Sequence, residues 1–284
     1  MKKIEIVEAW LKDHLTMFQC PICQGSMVDL DQHSLICANG HLTNINKHGY
    51  VYFMNRAANG EYDRAMLMDR RKLLQAGLFQ PMVQAILNHL GSQAETILDV
   101  GTGEGTPLYQ LMQGRDNLND TYIGFDISKD GIQLATQLDP RLFFCVADLR
   151  KLPFQAQSFS TIVEFFSPSD YGEFNRVLKP GGQVLKIIPN ANYLIELRQL
   201  LYADDQSHQT YSNQAVKDLF KEHYPQMTEE RIQYQFELPA EFRASLVKMS
   251  PLHWGKDAKV LTEADLAKLT QVNVDVQLLI GHQS

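Results

Sequence analysis

The sequence predicts an α/β protein: a doubly wound, Rossmann-like parallel sheet with a small module in front of it. Three observations carry this. From Thr96 to Ile188, strand-length apolar runs alternate with helical segments. The first of those runs closes on a glycine-rich turn, Asp99-Val100-Gly101-Thr102-Gly103-Glu104-Gly105. Ahead of it, three of the four cysteines and a histidine are gathered between Cys20 and His41.

At 284 residues the chain is long enough for a full α/β core and a second, minor unit. Its apolar and charged fractions, 44% and 21%, are those of a globular protein and exclude a disordered one. No apolar run approaches the roughly 20 residues of a membrane helix, so no membrane is expected. The start, Met1-Lys2-Lys3-Ile4-Glu5-Ile6-Val7-Glu8-Ala9-Trp10, is too acidic and amphipathic for a secretory signal, which implies a cytoplasmic location. A net charge of −7 excludes wholesale coating of nucleic acid, so any RNA contact must be local.

Taken in order, residues 1–17 are an N-terminal helix, with Ile4, Val7, Trp10, Leu11 and Leu15 at helical spacing for packing on the body. Residues 18–58 form the module. Cys20 and Cys23 make a knuckle that aims two thiolates at one point; Cys37 and His41 follow a hairpin-like stretch and close a tetrahedron. Three thiolates and one imidazole leave no open position, so the expected ion is a structural Zn2+. Of the competing possibilities, a disulfide persists poorly in a reducing compartment, and the spacing favours zinc over unrelated cysteines. Cys145, in an apolar strand, belongs to the core, and His14 and His33 to the surface.

Lys47 to Phe53 mixes basic and aromatic groups, a composition suited to phosphates and stacked bases. Val51 and Phe53 serve equally well as core; Lys47, His48 and Arg56 are the RNA candidates. A helix from Tyr62 to Ala76 carries Arg64, Arg70, Arg71 and Lys72, the densest basic cluster of the chain, and Arg64, Arg70 and Arg71 are expected to grip RNA alongside the module. Gly77 and Pro81 frame a break, and Met82–Leu90 is a further helix.

The larger unit, 59–284, then begins in earnest. Strands Thr96–Val100, Tyr122–Phe125, Phe143–Val146, Thr161–Phe166 and Gln183–Ile188 alternate with helices Thr106–Met112, Gly131–Leu138 and Tyr171–Leu178. Right-handed crossovers gather the strand carboxyl ends on one edge. The turn has G-x-G-x-G spacing, not the G-x-G-x-x-G of a pyrophosphate site, and suits a nucleoside-type ligand without phosphates, S-adenosylmethionine above all. Gly101, Gly103 and Gly105 let the backbone approach it. Asp126, about 20 residues further, can accept both ribose hydroxyls. Asp148 can accept from an adenine amino group, with Leu149 on the ring, while Asp99 holds the loop or reaches the methionine amino group.

Asp99-Val-Gly-Thr-Gly-Glu-Gly, Asp126-Ile-Ser-Lys, Leu152-Pro-Phe and Arg176-Val-Leu-Lys-Pro-Gly-Gly together resemble class I S-adenosylmethionine-dependent methyltransferases. With Cys20-Pro-x-Cys23, Cys37-x3-His41, Lys47-x-Gly49-Tyr50-Val51 and Arg70-Arg71 followed by Gly77, the chain looks like the RlmA family. Phe166-Ser-Pro168, Tyr171-Gly-Glu-Phe174, Tyr211-Ser-Asn213-Gln214 and Met249-Ser-Pro251-Leu252 are most similar to its Gram-positive branch, which includes the tylosin-resistance methyltransferase and so a link to macrolide resistance. The resemblance implies methylation of N1 of a guanine in a 23S ribosomal RNA hairpin loop. It also assigns the cofactor four positions at which this chain departs from the usual residue. Phe79 stands for a Tyr, Tyr193 for a His, and Pro107 and Leu108 follow the turn in place of aromatic or polar groups. These departures keep two other functions open: a catalytically weak or silent RNA-binding or ribosome-assembly protein, and a methyltransferase for another RNA or a small molecule.

Guanine N1 must lose its proton around methyl transfer, and Glu173 and Asp170, after the fourth strand, are the candidate bases. Tyr171 and Phe166 are candidates to stack the extruded base, with packing the stronger role for Phe166. The expected partner is the RNA hairpin; a homodimer would double the basic surface around it.

Overall fold

The protein was analysed as a computed structural model, which describes residues 2–54, 63–203 and 211–283. Helix α1 (Lys3–His14) precedes four short strands, β1 (Met27–Asp31), β2 (Ser34–Cys37), β3 (Leu42–Asn46) and β4 (Tyr50–Tyr52). Helices α2 (Arg64–Gln75) and α3 (Gln80–Asn88) lead into the alternating region: β5 (Thr96–Val100), α4 (Thr106–Gly114), β6 (Thr121–Asp126), α5 (Lys129–Ala135), β7 (Leu142–Val146), β8 (Phe159–Phe165), α6 (Tyr171–Val177) and β9 (Leu178–Pro189). The remainder is α7 (Ile195–Leu201), α8 (Gln214–His223), β10 (Thr228–Glu237), α9 (Arg243–Met249), α10 (Glu263–Leu266) and β11 (Gln271–His282).

All the strands join one sheet in the order β1-β2-β3-β4-β7-β6-β5-β8-β9-β11-β10. From β4 to β9 neighbouring strands are parallel; both flanks are antiparallel. The chain runs from β5 outward through β6 to β7, then resumes on the other side with β8 and β9. Strand order therefore reverses between β5 and β8, and their carboxyl ends open a crevice. One apolar core lies under α2, α3, α4, α7 and α9, and a second, on the other face, under α1, α6 and α8.

The N-terminal strands do not stand apart. β4 lies parallel to β7, with Val51 opposite Cys145 and Tyr52 opposite Val146, and Phe53 N–H donates to the Val146 carbonyl at 2.9 Å. The sheet thus runs unbroken through the module, and the expected boundary between residues 58 and 59 lies outside the described residues. Aromatic packing seals the join: Trp10 of α1 stacks on Phe143 at 4.4 Å, and Phe18 on Phe53 at 5.7 Å. Val51, Phe53 and Cys145 are core, as their apolar setting indicated. Helix ends follow local caps; α5 starts ahead of Gly131 because Ser128 Oγ accepts the Gly131 N–H. No helix among the described residues is long and apolar enough to cross a membrane.

Candidate active site

A cavity of about 1010 Å³ opens over the carboxyl ends of β5, β6, β7 and β8. The glycine turn forms its floor. Gly101, Gly103 and Gly105 all have positive φ (66°, 58° and 85°), a conformation costly for other residues. Thr102 Oγ1 donates to Asp99 at 2.6 Å, and Asp126 accepts the Gly103 N–H at 2.8 Å and the Ser128 N–H at 2.7 Å. Asp99 is buried inside the turn and does not line the cavity, so of its two expected roles the geometry supports holding the loop. Burial pushes its carboxyl up to about 7, against the Thr102 hydrogen bond.

Gly101, Gly103, Asp126, Asp148 and Leu149 all line the cavity. Burial raises Asp126 above the usual carboxylate range, in spite of the N–H groups of Ser128 and Gly103. Asp148 is held below that range by Arg150, whose guanidinium grips both its oxygens at 3.1 and 2.8 Å. Gly105 is not in the lining. A Cβ there would come within 2.9 Å of Ala135 and 3.1 Å of Phe144, so this glycine lets α4 pack. Pro107 and Leu108 are likewise buried outside the cavity, and Pro107 falls in the first turn of α4, where no intrahelical donor is lost. Two of the four departures therefore lie away from the crevice.

The other two, Phe79 and Tyr193, line its far wall together with Phe166. The Phe166 ring meets Phe79 at 5.5 Å and Tyr193 at 5.1 Å. Phe166 has φ +62°, a strained value for a bulky residue, and this twist brings its ring to the cavity. Tyr171, in contrast, is buried edge-on to Phe174 and Phe220, so the structural role falls to Tyr171 and the exposed face to Phe166, the reverse of the sequence expectation. Among the candidate bases, Asp170 lines the cavity and caps α6 by accepting the Glu173 N–H. Glu173 points elsewhere. Both its oxygens are taken by Arg176 at 2.7 Å, and it accepts the Leu152 N–H at 2.7 Å, which fits a structural strut.

The basic helix also differs from expectation. Arg71 turns inward to buried Glu104, at 2.8 Å, and donates to the Glu104 carbonyl at 2.7 Å, latching α2 to the glycine turn. Arg70 lies on the cavity wall, its guanidinium 5.3 Å over the Phe79 ring. Neither presents its charge to solvent as an RNA grip would; Arg64, Lys47 and His48 are exposed. Arg56 lies outside the described residues.

Sequence reasoning missed a buried pair. Glu164 on β8 stands opposite Lys186 on β9, and Lys186 Nζ donates to Glu164 at 3.2 Å, to the Ser167 carbonyl at 2.8 Å and to Ser169 Oγ at 2.9 Å. Burial pushes Glu164 up to about 7 even with Lys186 beside it. The pair anchors the Ser167–Asp170 loop from below. Charges inside Thr-Ile-Val-Glu-Phe-Phe and Val-Leu-Lys-Ile-Ile were the available signal. Glu164→Ala strands the Lys186 charge and is expected to destabilise the fold by about 3–5 kcal/mol in denaturant titration. A loss under about 1 kcal/mol would refute the anchor. The late segment Ser250–Leu252 and Tyr211 also line the cavity, although only their resemblance to the family had marked them.

At the far end of the module, Cys20, Cys23, Cys37 and His41 bring their donor atoms within 4.8 Å of one another. The separations are 3.8 Å for Cys23–Cys37 Sγ, 3.4 Å for Cys37–His41 and 3.7 Å for Cys20–His41. A tetrahedral zinc ion with bonds of about 2.3 Å to sulfur and 2.0 Å to nitrogen demands edges of about 3.5–3.8 Å. The set could hold such an ion. The Asn39 amide donates to Cys23 Sγ at 3.3 Å and, with the Gly25 N–H, lowers that thiol to about 6, favouring the thiolate a metal needs.

A family model described as a methyltransferase domain matches residues 92–250. Over 275 residues the chain is 37% identical to YxjB of Bacillus subtilis strain 168, whose name assigns it to the 23S rRNA (guanine-N1)-methyltransferases; the match covers 94% of this chain and 97% of that protein. It is 25% identical over 281 residues to the 23S rRNA (guanine(748)-N1)-methyltransferase of Streptomyces fradiae, covering 95% and 98%. Among solved structures, phosphoethanolamine N-methyltransferase 2 of Haemonchus contortus superimposes with a TM-score of 0.52 at 14% identity, over 79% of this chain and 59% of that one, a likeness of fold.

Proposed function

This chain belongs to the 23S rRNA (guanine-N1)-methyltransferase family, and on that premise we propose that it transfers a methyl group from S-adenosylmethionine to N1 of a guanine in a 23S ribosomal RNA hairpin loop. The cavity carries this reading. Its volume, about 1010 Å³, lies at the top of the range of about 300–1,000 Å³ typical of single-ligand sites, which leaves room for a nucleoside cofactor and an extruded base. Asp126 would accept the ribose hydroxyls, Asp148 and Leu149 would hold the adenine, and Gly101 and Gly103 would leave the backbone bare to the methionine portion. When bound, S-adenosylmethionine supplies a methyl group on a sulfonium, open to in-line displacement. The work of the chain is to align the two reactants and to exclude water. Phe166 and Asp170 both line the cavity; Phe166 would stack on the base, and Asp170 would take the N1 proton.

Cys20, Cys23, Cys37 and His41 are assigned a structural Zn2+. Lys47, His48 and Arg64 are assigned contacts to the phosphates and shape of the hairpin. The test is a methyl-acceptor assay on unmodified 23S hairpin RNA. Wild type is expected to methylate guanine N1, and Asp170→Asn, which preserves the helix cap, to lower kcat about 100-fold with cofactor affinity unchanged. A fully active Asp170→Asn removes that residue from the role of base. No methyl transfer to any 23S fragment overturns the function itself.

A further inference from the structure

We infer that Arg70 is the cofactor's carboxylate anchor, a site that depends on the reading of the cavity as a S-adenosylmethionine site. The buried residues of α2 include Met66, Leu67, Leu73 and Leu74. Arg70 falls between them at helical spacing, so its charge is held on the inner stripe of the helix and not on its solvent face. Three contacts fix that orientation. Arg71 pairs with Glu104 at 2.8 Å, Asp69 accepts from Ser245 at 2.8 Å, and the Leu74 carbonyl accepts from Gln110 at 3.0 Å. α2 is therefore a clamped wall of the cavity.

Among the described residues, three arginines line the cavity. Arg150 is committed to Asp148 and largely exposed, and Arg198 lies 6.0 Å from the Tyr211 ring centroid. Arg70 makes no ion pair among the described residues, and its Nε is buried without a hydrogen-bond partner. A guanidinium nitrogen withdrawn from water and left unpaired is costly, unless a ligand completes it. The stack on Phe79 holds the guanidinium plane but satisfies none of its N–H groups. Its neighbour Arg71 is bonded to Glu104 of the turn and its own guanidinium lies over Phe79, so Arg70 stands beside the glycine turn, on the wall that carries Phe79. With Asp126 and Asp148 marking the nucleoside end, the group beyond the turn is the amino-acid portion. A carboxylate there supplies the two acceptors that a guanidinium fork takes.

The test is calorimetric titration of the zinc-loaded wild type, Arg70→Met and Arg70→Lys with three ligands: S-adenosylmethionine, its decarboxylated form, and 5′-methylthioadenosine. Wild type is expected to bind S-adenosylmethionine about 10- to 100-fold more tightly than the decarboxylated form. Arg70→Met is expected to lose that preference while binding methylthioadenosine within about twofold of wild type, and Arg70→Lys to keep part of it. Wild type that binds both methionine forms equally overturns the inference, and needs no variant to do so. So does an Arg70→Met that keeps the preference. Wild type that binds none of the three ligands overturns the cofactor site itself, a failure distinct from the others.

Discussion

Protein stripped by a strong chelator is expected to melt on the order of 10 °C below the zinc-loaded form, in one cooperative transition. Structural zinc contributes about 10–16 kcal/mol to zinc-finger peptides. Even a quarter of that is about 3 kcal/mol, and a chain of this size loses roughly 2–4 °C per kcal/mol. The strands it would pin are short, β1, β2, β3 and β4 being three to five residues long, so the ion would add a large share to the packing that joins them to β7. A single transition is expected because the module shares its sheet with the cavity. β4 is bonded to β7, and the chain passes from β7 directly to Ala147 and Asp148 in the cavity wall. Chelation and Cys23→Ser should therefore also weaken cofactor binding. Release of one zinc per chain, measured with a metal-sensitive dye during the melt, checks the stoichiometry. Two separated transitions, with cofactor affinity unmoved, would show that the join transmits nothing.

Asp126→Ala is expected to reduce S-adenosylmethionine affinity by more than about 100-fold in calorimetry. Each hydrogen bond to a charged group is worth about 1.5–3 kcal/mol, and the substitution removes two to the ribose. It also frees the Gly103 and Ser128 N–H groups that Asp126 now holds, so the turn loses its shape. The same residue sets a pH dependence. Burial raises the Asp126 carboxyl, so the free protein holds this proton to a higher pH than an exposed acid would. A cofactor whose hydroxyls donate to the carboxylate favours the ionised form. Affinity should therefore fall as pH drops through the raised value, level off above it, and binding should release protons. Titrations from acidic to neutral pH, in buffers of different ionisation enthalpy, check the sign. Asp126→Asn should flatten the profile; an affinity independent of pH in wild type would refute the assignment.

The positions of Asp126, Asp148 and the glycines were legible because strand ends and glycine spacing are local properties of a βαβ chain. Cys20, Cys23, Cys37 and His41 were legible for the same reason. The basic helix was misread because composition carries no direction. Counting by the helical period from Met66 and Leu67 would have put Arg70 in the apolar stripe. Phe166 and Tyr171 exchanged roles because a positive φ at Phe166, invisible in the sequence, reverses which ring meets the cavity. Glu173 was chosen for its place after β8, but Arg176, one helical turn away, had first claim on its carboxylate.

In the absence of β4, strand β7 would end the sheet. Its residues, Leu142-Phe143-Phe144-Cys145-Val146, carry no charge, are buried along their whole length, and would offer open backbone donors and acceptors to any passing strand. With the module in place, that border moves out to β1, where Asp29 and Asp31 are exposed and the ladder shifts register between Met27 and Asp29. Charge and a break in the ladder both discourage pairing between molecules. The N-terminal strands thus act as a selvedge, finishing an edge that would otherwise invite self-association.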